Sequence, residues 1–135
     1  RLTNNKPCFV MDTRRDFIYY RDLVDVVVKA IDGQGRRGPY HISSGSDFAI
    51  KELFDATIKA LDIQLDEEVE VRPRTEDDTY TILLDPSKTN QDFSWETTTL
   101  LETGVKHAID YYKKFGIEET YTHLRMEEKP EPAAV

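Results

Sequence analysis

Arg14-Arg15-Asp16-Phe17-Ile18-Tyr19-Tyr20-Arg21-Asp22-Leu23-Val24-Asp25-Val26-Val27-Val28-Lys29-Ala30-Ile31 is the stretch on which the reading of this chain turns. It opens with two cations. Phe17-Ile18-Tyr19-Tyr20 follows, an aromatic and β-branched run that favours a strand. Asp22 then offers an N-cap carboxylate, and Leu23, Val24, Val27, Val28 and Ile31 recur at helical spacing, which predicts a buried helix face. Paired arginines thus stand at the mouth of a strand that feeds a helix. A guanidinium on such a mount can offer a fork of donors to a phosphate or a carboxylate. A surface ion pair with Asp16 or Asp22 is the plainer alternative.

On the N-terminal side, Cys8-Phe9-Val10-Met11 reads as a short buried strand and Asp12-Thr13-Arg14 as a turn. On the C-terminal side the helix is expected to stop at Asp32-Gly33. Gly33-Gln34-Gly35-Arg36-Arg37-Gly38 then matches the letters of a dinucleotide fingerprint, but a helix precedes it and Pro39-Tyr40-His41-Ile42-Ser43 reads as a strand. The fingerprint needs the opposite order, so the glycines are taken as a basic surface loop.

Ser43-Ser44-Gly45-Ser46-Asp47 is turn chemistry with several possible caps. The next helix has Ile50, Leu53, Phe54, Thr57, Ile58 and Leu61 on one face. Val69–Arg72 alternates as a half-buried strand does, Pro73 ends it, and Arg74–Asp78 makes a charged loop. Thr79–Leu84 is another strand candidate. Asp85-Pro86-Ser87-Lys88 is a helix start, with Asp as cap and Pro in the first turn. Thr99 with Glu102 has the capping-box form, and Leu101, Val105, Ala108, Ile109 and Tyr112 would bury the last long helix. Gly104 within it suggests that another backbone comes close. Glu127–Val135, with its prolines and no apolar periodicity, is expected to be disordered.

The chain has 135 residues, 33% of them charged and 39% hydrophobic, which suits one soluble domain with a modest core. A net charge of −8 argues against nucleic-acid or anionic-membrane partners, which require positive fields. No apolar run approaches the roughly 20 residues of a membrane span. The single cysteine, Cys8, cannot form an internal disulfide, so a reducing cytoplasm is the expected compartment. The chain opens on Arg1-Leu2-Thr3 without methionine, and it is expected to be a piece of a longer protein.

The chemistry of a complete active site is missing. His41, His107 and His123 stand apart from any metal-ligand spacing. His41 reads as a structural histidine on its strand, and His107 falls on the exposed side of its helix. Glu67-Glu68 and Asp77-Asp78 lie in charge-rich loops, where solvated surface is the simpler reading. The remaining functional signal is the arginines at strand ends: Arg14, Arg15, Arg72 and Arg74.

In this order the motifs resemble the C-terminal, substrate-binding part of the extended short-chain dehydrogenase/reductases, the NAD-dependent nucleotide-sugar epimerases and dehydratases. Arg15-Asp16-Phe17-Ile18-Tyr19 with Asp22-Leu23 matches their Arg-Asp-aromatic-aliphatic-aromatic segment and the helix after it. Tyr40-His41-Ile42-Ser43-Ser44-Gly45 matches a Tyr-Asn-Ile-Gly-Ser-Gly strand and turn, and Glu52-Leu53 the helix beyond. Arg72-Pro73 and Asp85-Pro86-Ser87-Lys88 match an Arg-Pro loop leading to Asp-x-Ser-Lys. Trp95 with Glu102-Thr103-Gly104 matches a Gly-Trp segment followed by Glu-x-Gly. The likeness covers residues 6 to 116. His41 replaces Asn, Ser43 and Ser94 replace Gly, and Thr97 replaces Pro, departures that bear on the identity of the sugar nucleotide.

The resemblance implies an α/β fold, a mixed α+β fragment in which a small sheet of short strands packs with about four helices. It implies a linker at 1–5 from a missing N-terminal Rossmann half, a substrate-binding domain at 6–116 and a C-terminal extension at 117–135. Arg15 would contact the diphosphate of a nucleotide sugar. A second phosphate-binding arginine is expected in the Arg-Pro loop, where the spacing to Asp85 falls nearest Arg74 and leaves Arg72 as the other candidate.

None of the seven tyrosines has lysine four residues on, so the family's Tyr-x-x-x-Lys is absent. No catalytic residue, cofactor contact or metal ligand is therefore assigned to this chain. NAD or NADP would be bound by the parent enzyme, a possible homodimer, whose N-terminal half would perform hydride and proton transfer. Two other readings stand beside this one: a non-catalytic nucleotide- or anion-binding module, and a purely structural α+β fragment whose arginines pair with its acids.

Overall fold

The structure, a computed structural model, describes residues 1–4 and 6–116. A 3-10 turn at Leu2–Asn4 leads into β1 (Phe9–Met11), β2 (Arg14–Arg15), α1 (Tyr20–Ile31), β3 (Phe48–Ala49) and α2 (Ile50–Leu61). β4 (Glu70–Arg72), β5 (Thr81–Ile82), α3 (Ser87–Phe93) and α4 (Leu101–Phe115) complete it. Strands and helices mix as the resemblance implied, with the strands in two small sheets. β1 pairs with β4 in parallel, Val10 opposite Val71. β2 lies between β3, antiparallel, and β5, parallel. A two-stranded sheet is marginal by itself; here β1 is backed by α2, and α2 packs on α4.

The deciding stretch folds differently from its local propensities. Its strand is Arg14–Arg15, and the helix begins at Tyr20 with Tyr19 at the N-cap. The aromatic run expected to be a strand makes no ladder, because the pairing positions beside β3 and β5 are taken by the two arginines. Asp22 lies inside the first turn of α1, where it is buried and holds the segment that leads into α4. Its Oδ1 accepts from Thr98 Oγ1 at 2.9 Å and its Oδ2 from the Thr99 amide at 3.2 Å. Leu100 is the N-cap of α4 and has no side-chain cap of its own. The Thr99–Glu102 box does not form; the Thr98–Thr99 segment ahead of the helix is tied to a carboxylate of α1, a tertiary contact that local spacing does not reveal.

The covered face of α1 also differs from the periodic one. Val26 is buried against Phe93 and Trp95, with Tyr40 and Ile42 packed around them. Leu23, Val24, Val27, Val28 and Ile31 are exposed. The helix is apolar on two sides, and among the described residues the side carrying Val26 is the one that finds a buried partner. Trp95 Nε1 donates to the Asp22 carbonyl at 3.0 Å, tying the loop after α3 to the start of α1.

Residues 39–43 carry no strand and pair with neither sheet. Their buried groups are satisfied by side chains instead. Ser43 Oγ donates to the Leu84 carbonyl at 3.1 Å, and Thr89 Oγ1 to the His41 carbonyl at 2.5 Å. His41 itself is exposed, so it is not a buried structural histidine. The helix start falls one residue later than expected, with Pro86 at the N-cap, and Asp85 just before it accepts from the Ser87 amide through Oδ1 at 2.9 Å. Gly104 meets the Tyr19 side chain rather than a backbone, at ordinary contact distance. His107 is exposed as expected, and its ring stacks on Tyr19 with centroids 5.4 Å apart. His123 and Glu127–Val135 lie outside the described residues.

The glycine loop is a packing device. Gly35 adopts φ +79°, and a Cβ built there would fall 2.3 Å from a carbon of the Phe93 ring. Gly35→Ala combines a left-handed backbone with overpacking against a buried aromatic. It is expected to destabilise the fold by about 3 kcal/mol, read as a fall in the chemical-denaturation midpoint. A loss under about 0.5 kcal/mol would contradict this packing account of the glycine.

Candidate functional site

β2 places two adjacent guanidiniums on opposite sides of a strand, as the period of a strand requires. They have different partners. Arg14 Nε donates to Asp47 Oδ2 at 3.0 Å and Nη2 to the Asp47 carbonyl at 3.0 Å, with Glu52 a further 3.6 Å partner of Nη1. Asp47 also accepts from Thr81 Oγ1, so β2, β3 and β5 meet at one carboxylate. The hydrogen bond from Arg14, then that from Thr81, holds the Asp47 carboxyl below its ordinary pKa. Arg14 is thus a structural cation of the three-stranded sheet.

Arg15 is held by the loop that runs into β5. Its Nη1 donates to the carbonyls of Arg14 at 2.7 Å, Thr79 at 2.9 Å and Tyr80 at 3.3 Å. Its Nη2 donates to Asp78 Oδ1 at 2.6 Å. The expected alternative, pairing with Asp16 or Asp22, does not occur. Asp16 accepts from the Ser44 amide at 2.8 Å and Ser44 Oγ at 2.5 Å, and Asp22 accepts from Thr98 and Thr99.

Arg74 comes to the same place. Its Nη1 donates to the Asp78 carbonyl at 2.8 Å, and its side chain is otherwise exposed. Two cations far apart in the sequence therefore converge on Asp78, one on its carboxylate and one on its carbonyl. Arg72 does not join them. As the last residue of β4 it lies in the parallel ladder, its guanidinium pairs with Glu70 at 2.9 Å, and it sits 3.7 Å from the centre of the Phe9 ring.

Sequence reasoning passed over Asp78, because Asp77-Asp78 reads as part of a solvated acidic loop. Asp77 is exposed, whereas the Asp78 side chain is 35% exposed and faces Arg15. The available signal was its place four residues after Arg74, across the turn closed by the Asp78 amide on the Thr75 carbonyl. Among the described residues no cluster of histidine, cysteine and carboxylate could hold a metal ion. No helix there is long and apolar enough to cross a membrane.

A separate hollow of about 720 Å³ opens between the 3-10 turn, β1, α2 and α4, with Leu53, Phe54, Val105, Ile109 and Tyr112 among its walls. None of the three candidate arginines lines it. Its walls are chiefly apolar carbon, so it offers packing surface rather than reaction chemistry.

The profile of the family described as GDP-mannose 4,6 dehydratase matches residues 3–108. The probable UDP-arabinose 4-epimerase 1 of Oryza sativa subsp. japonica is 36% identical over 93 residues, which cover 66% of this chain and 22% of that protein. Among solved structures, the Bordetella bronchiseptica enzyme WbmH in complex with NAD+ aligns with a TM-score of 0.78 at 45% identity. That alignment covers 87% of this chain and 39% of WbmH. The enzyme WbmG of the same organism, in complex with NAD and UDP, aligns at 0.82 with 29% identity, covering 94% of this chain and 41% of WbmG. The chain thus spans well under half the length of these proteins.

Proposed function

This chain belongs to the extended short-chain dehydrogenase/reductases, in the family described as GDP-mannose 4,6 dehydratase, and we propose that it supplies the diphosphate-binding side of an NAD-dependent nucleotide-sugar epimerase or dehydratase. The observation that carries this is the convergence of Arg15 and Arg74 on one residue, Asp78. Two arginines on one diphosphate can each give bidentate, charge-assisted hydrogen bonds. A site that excludes part of the water strengthens them.

In this reading the domain is residues 6–116. A Rossmann half N-terminal to it binds the nicotinamide cofactor and performs hydride and proton transfer. Binding energy from the diphosphate, remote from the reacting sugar carbon, then holds that carbon in line for transfer. The uncovered apolar residues of α1 support the presence of further protein packed there. Arg72 is left out of the clamp, since Glu70 and Phe9 already hold it within the β1–β4 sheet.

Calorimetric titration of the full-length protein carrying this sequence with UDP, UMP and uridine tests the reading. UDP is expected to bind at least about tenfold more tightly than UMP, the value of one added charge-assisted contact. Arg72→Ala is expected to change that affinity less than about twofold, within the range of ordinary surface substitutions. Equal affinities for the three ligands would sink the proposal.

A further inference from the structure

The two candidate arginines are organised around a residue of opposite charge. Arg15 is approached from one end only: Nη1 is engaged by the carbonyls of Arg14, Thr79 and Tyr80, and Nη2 by Asp78. Its Nε makes no hydrogen bond among the described residues. On the Nε–Nη2 edge, the side of the fork that grips an oxyanion in bidentate fashion, Nε is therefore open, while Nη2 would be shared between the oxyanion and Asp78. Asp78 is itself anchored, through its amide on the Thr75 carbonyl at 3.1 Å and its carbonyl under Arg74 at 2.8 Å. An oxyanion on that edge of Arg15 lies beside a carboxylate that has no need to leave.

We infer that Asp78 is the internal counter-anion of the arginine pair: it aims Arg15 by holding Nη2, and its charge keeps the pair's affinity for a diphosphate below what two arginines alone would reach. The inference rests on the diphosphate-binding reading above. Its physical basis is the sum of two effects. The hydrogen bond from Nη2 to Oδ1 fixes the plane of the guanidinium, which lowers the ordering cost when a ligand arrives. The negative charge offsets part of the cationic field that draws the ligand in. A clamp tempered in this way releases a nucleotide diphosphate faster than a bare pair of arginines, because within one interface affinity differences appear mostly as dissociation rates.

Asp78→Asn separates the two effects, since the amide keeps an oxygen for Nη2 and removes the charge. In the full-length protein carrying this sequence, titration with UDP is expected to show Kd falling about three- to thirtyfold in the Asn variant, the scale of a charge term at a partly exposed site. Uridine affinity is expected to stay unchanged. The gain should shrink toward unity in 1 M salt, where charges are screened beyond about 3 Å. Asp78→Ala also removes the acceptor, and it is expected to bind UDP more weakly than Asp78→Asn.

Equal affinities in the Ala and Asn variants would overturn the aiming role. An Asn variant that binds UDP no tighter than the unsubstituted protein, while Arg15→Ala still weakens binding, would overturn the counter-anion role and leave the clamp standing. If Arg15→Ala also leaves UDP binding unchanged, the clamp falls and the role of Asp78 falls with it.

Discussion

Replacing Arg15 with alanine is expected to weaken UDP binding to the full-length protein carrying this sequence by about 10- to 100-fold, the cost of removing a bidentate charge-assisted contact. Uridine binding is expected to change little. Arg15 has this weight because its orientation is set before any ligand arrives: three backbone carbonyls and one carboxylate hold the Nη1–Nη2 end. Arg74 has one such anchor and an exposed side chain, so more of its freedom is lost on binding. Arg74→Ala is therefore expected to weaken binding only about 3- to 10-fold, as for a contact that must first be ordered.

Lysine at position 15 should not restore affinity, since an ammonium cannot reach three carbonyls and an oxyanion with fork geometry. Because Arg15 also ties β2 to the carbonyls before β5, its loss can loosen that loop. A fluorescence melt following Trp95 distinguishes this from a binding effect. A variant that keeps its melting temperature and still binds UDP as tightly as the unsubstituted protein would refute the assignment of Arg15.

A large effect on stability is also expected at Asp22. Asp22→Ala removes the acceptor shared by Thr98 Oγ1 and the Thr99 amide, untying the segment that leads into α4 from α1. The expected loss is about 3 kcal/mol, the scale of two hydrogen bonds to a charged acceptor at a buried position. Asp22→Asn keeps one acceptor oxygen and should lose about half as much.

The pH dependence has a definite sign. Burial pushes the Asp22 carboxyl up, but the hydrogen bonds from Thr98 and Thr99 outweigh it and hold the pKa below the ordinary value. A carboxyl depressed in the folded state stabilises the fold at pH values above its unfolded pKa, about 3.9. That contribution is lost as pH falls through the folded value. The gap in unfolding free energy between the unsubstituted protein and Asp22→Ala should therefore be full at pH 7 and narrow below about pH 4. A gap that stays constant from pH 7 to pH 3 would show that the carboxylate charge plays no part.

Much of the local organisation can be read from residue order, and each miss has a physical cause. The start of α3 was legible because Asp85 and Pro86 act within one turn, through groups that are neighbours in sequence. The face of α2 was legible because its apolar residues follow one period and pack on α4 and β1. α1 was misread on its buried face because it is apolar on two sides, and periodicity cannot say which side a chain will cover. The start of α4 departs from the expected capping box because the helix begins one residue later, after Leu100, and Thr98 and Thr99 bond a carboxylate of α1 more than seventy residues earlier. Local propensity placed a strand at Phe17–Tyr20, yet strand pairing depends on partners, and β3 and β5 align with Arg14 and Arg15.

For the candidate site, the sequence by itself determined the types of residue available: arginines at strand ends within a collinear set of family motifs, and no catalytic Tyr-x-x-x-Lys. Those are properties of residue identity and order. The tertiary structure decided which arginines stand together. Arg15 and Arg74 share Asp78 because the parallel β2–β5 pairing brings the loop after β4 back over Arg15. Arg72, two residues before Arg74, is held in a different sheet by Glu70 and Phe9. Charge convergence is a long-range geometric property, set by strand pairing between distant segments, and spacing along the chain does not encode it.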